Sequence, residues 1–238
     1  METQLTSIFC HPRPVFAGMT LLILFLSLIP TFSKADTSST SDIVVDDLDR
    51  NTKAGEFPSG WKTYPFQMGK AKKVYKVAME GSDRSIAARD DQDISMPIFK
   101  DFSWPLESYP VLKWRWRAKE LPQGAREDSR ATNDSACGVY VAFGKTSGVA
   151  LKYVWSSTLP VGHVWEKDPG KFYVIVLASG TKALNSWQHE KVNVVDDYKK
   201  HFGKYPKKDP SGIGIMTDGN ATHTPAACDY SGFTISKT

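Results

Sequence analysis

The sequence predicts an all-β fold, an antiparallel two-sheet β-sandwich with one short helix. Three observations favour it. Hydrophobic side chains alternate with a period of two along most of the chain. Short apolar runs are separated by turns rich in Gly, Pro and Asp. Aromatic residues make up 12% of the 238 residues and include seven Trp, enough to fill the core of one large sandwich. We therefore expect a single domain over residues 43–238.

Residues 1–35 are predicted to be a cleavable signal peptide. A weakly basic start is followed by an apolar run at 19–29, and Ser33 and Ala35 supply the small side chains that precede a cleavage site. The run is shorter than the ~20 apolar residues that a membrane-spanning helix needs. We therefore expect a periplasmic or secreted protein that does not insert into a membrane after cleavage. A polar linker is predicted at 36–42.

The predicted strands follow in order. Residues 75–80 and 151–155 alternate between apolar and polar or smaller side chains. In the strand that starts near residue 111, Leu112, Trp114 and Trp116 share one face, which predicts that this face packs on the core. Three further runs are apolar on both faces and are predicted to be central strands covered on both sides: residues 139–143, 172–178 and 213–216.

One helix is predicted near residue 200. Asp196 or Asp197 is placed to cap its N-terminus, and Gly203 is placed to end it. The charged stretch 119–135, by contrast, has no apolar periodicity, and we expect it to form a long solvated loop.

Cys137 and Cys228 are the two cysteines that follow the signal peptide, and each opens a β-rich segment. An oxidising compartment allows such a pair to form a disulfide. The alternative is two buried free thiols.

Several short motifs between residues 43 and 238 are shared with a known family. They are Pro110-Val-Leu-Lys-Trp-Arg-Trp116, Asn133-Asp134 with residues 139–143, residues 151–155 and 176–180, the spaced set from Trp187 to Tyr198, and residues 216–218. Together they resemble the bacterial exported family of unknown function numbered 3047. The resemblance implies a jelly-roll-like sandwich, similar to some carbohydrate-binding modules, and implies no activity. The sequence departs from the family pattern at Cys137-Gly138 and at residues 217–222.

The basic row on the strand after residue 111 is the main candidate ligand site. Lys113, Arg115 and Arg117 alternate with the apolar face and can bind an acidic or hydroxyl-rich ligand. The alternative is a solvent-facing row, or an ion pair between Arg115 and Glu190 on a neighbouring strand. The other predicted ligand-binding residues are Trp155 for stacking, Glu190 and Asn193 for hydrogen bonds, and Asp218 and Asn220 at a strand end.

Catalytic signatures are lacking. The sequence has no His-Glu-x-x-His, Gly-x-Ser-x-Gly, phosphate-loop or Cys-x-x-Cys motif, and its histidines lack metal-ligand spacing. The formal net charge is +4, with no arginine-rich stripe, which argues against nucleic acid. No cofactor is predicted. Calcium stays open, because Asp90-Asp91-Gln92-Asp93 offers oxygen ligands, although the loop of an EF-hand is missing.

The sequence therefore favours an exported, non-catalytic sandwich that binds a carbohydrate or another polar or acidic ligand. One alternative is a polysaccharide hydrolase or lyase that uses a carboxylate pair, Glu190 with Asp134, Asp197 or Asp218. The other is an envelope module that binds a protein partner and no small ligand.

Overall fold

The computed structural model describes residues 42–46, 48, 51–144 and 148–238. They belong to one compact unit, Ser39–Thr238. The predicted signal peptide lies outside the described residues, and so does the linker apart from Asp42. Within these ranges no helix has the length and hydropathy needed to cross a bilayer.

The structure is mostly β. The strands are β1 Ile43–Asp46, β2 Trp61–Lys62, β3 Tyr75–Glu80, β4 Asp83–Asp90, β5 Ile98–Asp101, β6 Val111–Glu120, β7 Ser135–Phe143, β8 Val149–Ser156, β9 Val164–Asp168, β10 Phe172–Ser179, β11 Gln188–Asn193, β12 Pro210–Asp218 and β13 Ala226–Ser236. The helices are α1 Met68–Val74 and α2 Val194–Phe202.

The strands form the predicted two-sheet sandwich. Sheet A has the order β11-β6-β13-β4-β3, and β1 also pairs with β13; sheet B has the order β2-β5-β12-β7-β8-β10-β9. The pairs among the described strands are antiparallel except for β8 with β10, which is parallel. This departure from a purely antiparallel sandwich has a simple cause. The chain leaves β8 for the edge strand β9 and then returns, so that β10 inserts between them in the direction of β8.

The core lies between the two sheets and confirms the alternation predicted for β6. Leu112, Trp114 and Trp116 are buried and face the other sheet. The ring centroids of Trp114 and Tyr153 are 5.7 Å apart, and those of Trp116 and Trp155 are 6.3 Å apart. Fully buried aromatic side chains contribute the largest apolar areas in a core. This stack therefore holds β6 and β8 together across the sandwich.

A disulfide also joins the two sheets. Cys137 in β7 and Cys228 in β13 are bonded, with their Cα atoms 5.5 Å apart and a sequence separation of 91. Both residues are fully buried in the core. The alternative of two free thiols therefore does not describe this fold.

Helix α2 is the predicted helix, with an earlier start. The Asn193 side-chain oxygen accepts hydrogen bonds from the backbone N–H groups of Val195 and Asp196, both at 3.1 Å. Asn193 is thus the N-cap, whereas the predicted caps Asp196 and Asp197 lie in the first turn. Gly203 ends the helix, as predicted, in the left-handed conformation that glycine adopts most readily.

Helix α1 was not predicted, because its sequence has no capping signal. No side chain caps its N-terminus, and its first turn has no acidic residue. Ala71 and Val74 are buried on one face, so packing rather than local sequence stabilises the helix.

The segment between β6 and β7 is partly buried, contrary to the prediction of a solvated loop. In residues 121–134, Ala125 and Glu127 are almost completely buried. The Thr158 hydroxyl donates to the Ala125 carbonyl at 2.8 Å, which fixes the segment beside the end of β8. The prediction failed because its charged residues cover a polar cluster, described below, rather than an apolar core.

Candidate functional site

The basic row lies on the outer face of sheet A, away from the core. Each of its three cations has a carboxylate partner: Lys113 with Asp42 at 3.0 Å, Arg115 with Asp83 at 3.2 Å, and Arg117 with Glu80 and Asp229, both at 2.5 Å. The ring of Trp187 lies 4.6 Å from both the Arg115 and the Arg117 guanidinium carbons. The row is therefore an ion-paired network capped by an aromatic ring.

The predicted partner of Arg115 is engaged elsewhere. Glu190 accepts a hydrogen bond from the indole N–H of Trp116 at 2.9 Å. Burial raises the pKa of Glu190, and the bond from Trp116 opposes that rise. The ion pair between Arg115 and Glu190 does not form, because Glu190 points to the core side of β11 while Arg115 points outward.

Two of the other predicted ligand-binding residues, Trp155 and Asn193, have structural roles in the fold. Trp155 is fully buried, and its indole N–H donates to the Gly180 carbonyl at 3.1 Å. Its predicted role as a stacking surface is thus corrected, because no ligand can reach a side chain inside the core. Asn193 caps α2, so its side-chain oxygen is already used.

Asp218 and Asn220 lie at the end of β12, far in the fold from the basic row. Asn220 is half-buried in the turn that follows the strand. Asp218 is buried, and its carboxylate accepts a hydrogen bond from the backbone N–H of Ser135 at 3.2 Å. The predicted site residues are therefore spread over the outer face of sheet A, the core and the end of β12.

Asp218 belongs to a buried polar cluster on the outer face of sheet B, under the 121–134 segment. Lys152 is 4% exposed, and its ammonium donates to the Ser135 hydroxyl at 3.3 Å. Glu127 is 2% exposed and accepts from the Ser156 hydroxyl at 2.5 Å. The cluster holds one cation and two carboxylates in a space with little solvent.

Burial sets the charges of this cluster. It raises the pKa of Asp218 to about 6 and also raises the pKa of Glu127. Burial alone would lower the pKa of Lys152, but Tyr140, Asp218 and Glu127 raise it above its usual value. The neighbouring Tyr140, Asp218 and Glu127 therefore favour the charged form of Lys152.

Beside this cluster, the outer face of sheet B forms an open trough. Two adjoining hollows, of about 350 and 460 Å³, share Tyr64, Phe99, Ala142 and Gly144 in their lining. The floor is made of small residues, and the walls are aromatic. The floor residues are Gly212, Ala142 and Ala150, and the wall residues are Tyr64, Phe99, Tyr140 and Phe172.

Glycines in β12 shape this floor. A Cβ atom at Gly214 would lie 2.9 Å from a ring carbon of Phe99. At Gly212 it would lie 2.3 Å from the Lys100 carbonyl oxygen. Larger residues would therefore push β5 and its aromatic wall away from β12.

Tyr64 is the most exposed aromatic side chain in the lining of the trough. It is 54% exposed and packs edge-on against Phe99, with ring centroids 5.5 Å apart. The other aromatic wall residues, Phe99, Tyr140 and Phe172, are half-buried.

Sequence reasoning missed the trough, because the candidates for stacking were chosen among the tryptophans. Trp61 and Trp104 are buried. Trp165 covers a small apolar cluster that contains Val154 and Val174. Two features of the sequence could have indicated the trough. One is the pair of alternating glycines, Gly212 and Gly214, which marks a strand with little side-chain volume; the other is the presence of Phe and Tyr residues on separate strands.

Each of the carboxylates predicted for a catalytic pair accepts a hydrogen bond from a group of the protein. Glu190 binds the Trp116 indole, Asp134 the backbone N–H groups of Ala221 and Thr222, Asp197 the Tyr153 hydroxyl, and Asp218 the Ser135 N–H. None of the four lines the trough.

The acidic turn named for calcium has internal partners as well. The Asp90 carboxylate accepts backbone hydrogen bonds from Ile94 at 3.0 Å and Gly219 at 3.3 Å. Asp91 pairs with Arg89. In the part of the chain that the structure describes, no group of three or more His, Cys, Asp or Glu residues is arranged to hold a metal ion.

Solved structures similar to this chain include three carbohydrate-active proteins. Endoglucanase 3 of Trichoderma harzianum, from family GH12, has a TM-score of 0.43 and 10% identity, with 78% of this chain and 93% of that chain covered. The family 11 carbohydrate-binding module of the Clostridium thermocellum cellulase Lic26A-Cel5E has a TM-score of 0.37 and 8% identity, with 84% and 97% covered. The xyloglucanase domain of NopAA from Sinorhizobium fredii, solved with cellobiose, has a TM-score of 0.38 and 11% identity, with 68% and 88% covered. Scores this low support no inference about ligand or activity.

No curated protein matches this chain. A family model does match, over residues 59–234, which is most of the sandwich and includes both sheets. The resemblance that the Trp114-x-Trp116 strand and the other motifs predicted is thereby confirmed. The chain belongs to the family described as "Protein of unknown function (DUF3047)".

Proposed function

We propose that this protein is an exported, non-catalytic binding module that holds a carbohydrate in the trough of sheet B. The observation that carries the proposal is the combination of a small-residue floor with aromatic walls, of which Tyr64 is exposed and the others are half-buried. The C–H faces of a sugar ring pack well on flat aromatic side chains, and open floors leave room for a chain of rings. The proposed ligand site thus lies on sheet B, whereas the sequence had predicted it at the basic row on sheet A.

The ion pairs on sheet A and the aromatic lining on sheet B favour a ligand site on sheet B. On sheet A the three cations of the basic row are neutralised, and Trp187 lies over two of them. A further hollow on that face, of about 510 Å³, contains two ion pairs, Arg89 with Glu120 and Lys119 with Asp229, together with Lys73 and Lys76. Charged groups that already have partners gain little from a ligand. On sheet B the trough is lined by aromatic rings, of which Tyr64 is 54% exposed and Phe99, Tyr140 and Phe172 are half-buried.

The export part of the proposal rests on the disulfide. A buried bridge between the two sheets persists in an oxidising compartment such as the periplasm or the extracellular space. The same location provides polysaccharides as ligands.

An exposed aromatic residue of the trough provides the direct test. We expect Tyr64→Ala to weaken glycan binding by roughly tenfold or more, because truncating an aromatic contact with the ligand costs about 2 kcal/mol. Since the Tyr64 side chain is exposed, the melting temperature stays close to that of the wild type. Binding is measured by calorimetry against a panel of soluble polysaccharides, with and without calcium.

Two variants serve as controls. Tyr205→Ala removes an aromatic side chain that is 44% exposed but lies outside the trough, and it leaves binding unchanged. Arg115→Ala distinguishes a ligand site on sheet A from one on sheet B. If it abolishes binding in a folded protein while Tyr64→Ala does not, the ligand lies on sheet A and the proposal is wrong.

A further inference from the structure

One cation in the trough lacks a partner. Lys167 lies in the edge strand β9 and lines the larger hollow of the trough. Its ammonium nitrogen is 5.6 Å from the centroid of the Phe172 ring, which forms part of the trough wall. The side chain is half-buried, so that its charge lies at the surface that a ligand in the trough would touch.

The other two lysines that line the trough have carboxylates beside them. Lys62 pairs with Asp101, and Lys100 pairs with Asp46. Among the described residues, Lys167 has no carboxylate within ion-pair distance. A half-buried charge without a partner is unfavourable unless something else compensates it.

The surroundings increase that cost. Burial lowers the pKa of Lys167, and the buried ammonium of Lys152 lowers it further, although Asp218 and Asp168 act in the opposite direction. Lys152 is already balanced by the carboxylates of its own cluster. The wall of the trough therefore has a half-buried positive charge that lacks a carboxylate within ion-pair distance in the described part of the chain and lies next to an aromatic ring.

Building on the proposed function, we infer that the trough binds an acidic carbohydrate, with a uronic acid carboxylate on Lys167 and a sugar ring against Phe172. A charged hydrogen bond at a partly desolvated site discriminates strongly, because the ligand that lacks the anion leaves the cation unpaired. The aromatic wall contributes affinity for the ring, and Lys167 contributes selectivity for its charge.

The test compares matched polysaccharides. Polygalacturonate and alginate are used beside their carboxyl-reduced forms, which keep the sugar backbone and lose the charge. We expect the wild-type protein to bind the acidic forms about tenfold or more tightly than the reduced forms at low ionic strength. We expect Lys167→Met to lose this preference, so that it binds the acidic and the reduced forms of each polysaccharide equally.

Lys171→Met is the matched control, because Lys171 is an exposed lysine in the turn between β9 and β10 and does not line the trough. It should keep the preference. Equal binding of acidic and reduced forms by the wild type, or a preference that survives Lys167→Met, overturns this inference but leaves the proposed function standing. Failure of every polysaccharide to bind overturns both.

Discussion

At the scale of single residues, the most unusual group is Asp218. It was singled out from sequence as a ligand contact at a strand end, and it is instead a buried carboxylate beside Lys152. Its environment costs stability when the carboxylate is charged, because burial outweighs the attraction of Lys152. This cost makes the stability of the fold depend on pH in a defined window.

The sign of that dependence follows from the pKa. Burial raises the pKa of Asp218 to about 6 in the folded protein, against about 3.9 in an unfolded chain. The folded state therefore binds the proton more tightly, and this group makes the fold less stable as the pH rises from about 4 to about 6. Above that range its effect is constant.

Asp218→Asn removes the titration and tests this account. We compare the free energies of unfolding of the variant and the wild type at each pH. We expect the difference, variant minus wild type, to increase by about 2–3 kcal/mol from pH 4 to pH 7. Urea denaturation at pH 4, 5, 6 and 7 measures it. If the difference between the two proteins stays constant over this range, the carboxylate is not desolvated in the way described.

At the scale of elements, variants of the α2 N-cap can distinguish a structural role from a ligand-binding role for Asn193. Its side-chain oxygen accepts two backbone hydrogen bonds at the start of the helix. We expect Asn193→Ala to lower the free energy of unfolding by about 1 kcal/mol, and Asn193→Asp to retain most of the stability, since aspartate is an equally good N-cap. Chemical denaturation measures both.

The same variants report on ligand binding. The cap lies outside the trough, so that polysaccharide affinity should not change in either variant. Equal stability of the Ala and Asp variants, together with loss of binding in both, would show that Asn193 contacts the ligand as the sequence suggested.

Sequence patterns were most informative for elements with local signals. The alternation of Leu112, Trp114 and Trp116 with the basic row predicted the orientation of β6, because side chains in a strand have a period of two. Gly203 located the end of α2. Helix α1 has neither a cap nor an acidic first turn, so that nothing local distinguished it.

The trough has no local signal at all. Its walls come from Tyr64, Phe99, Tyr140 and Phe172, which lie on different elements and are brought together by the strand order β2-β5-β12-β7-β8-β10. That order includes a parallel pair that the sequence did not predict. Residues that meet through sheet topology cannot be grouped from one sequence, whereas a row on one strand such as β6 can.

At the scale of the whole molecule, the disulfide is the covalent link between the sheets. It closes a long loop, between residues 137 and 228, and cross-links of this kind stabilise chiefly by restricting the unfolded chain. Replacing both Cys137 and Cys228 with Ala should lower the free energy of unfolding by about 2–5 kcal/mol.

A reducing agent provides the control for this prediction. It should lower the melting temperature of the wild type toward that of the double variant and have no effect on the variant itself. An equal effect of the reductant on both proteins would mean that the bridge is not the source of the difference.

The position of β13 has a consequence for how the protein is made. β13 follows every other strand in the sequence, yet it lies inside sheet A, where Tyr230 pairs with Trp116 on one side and with Ile86 on the other. Until the ribosome has produced β13, the nascent chain leaves the facing edges of β4 and β6 without a partner. Open edges of this kind pair readily with other chains. Sheet A can therefore close only when β13 inserts between β4 and β6.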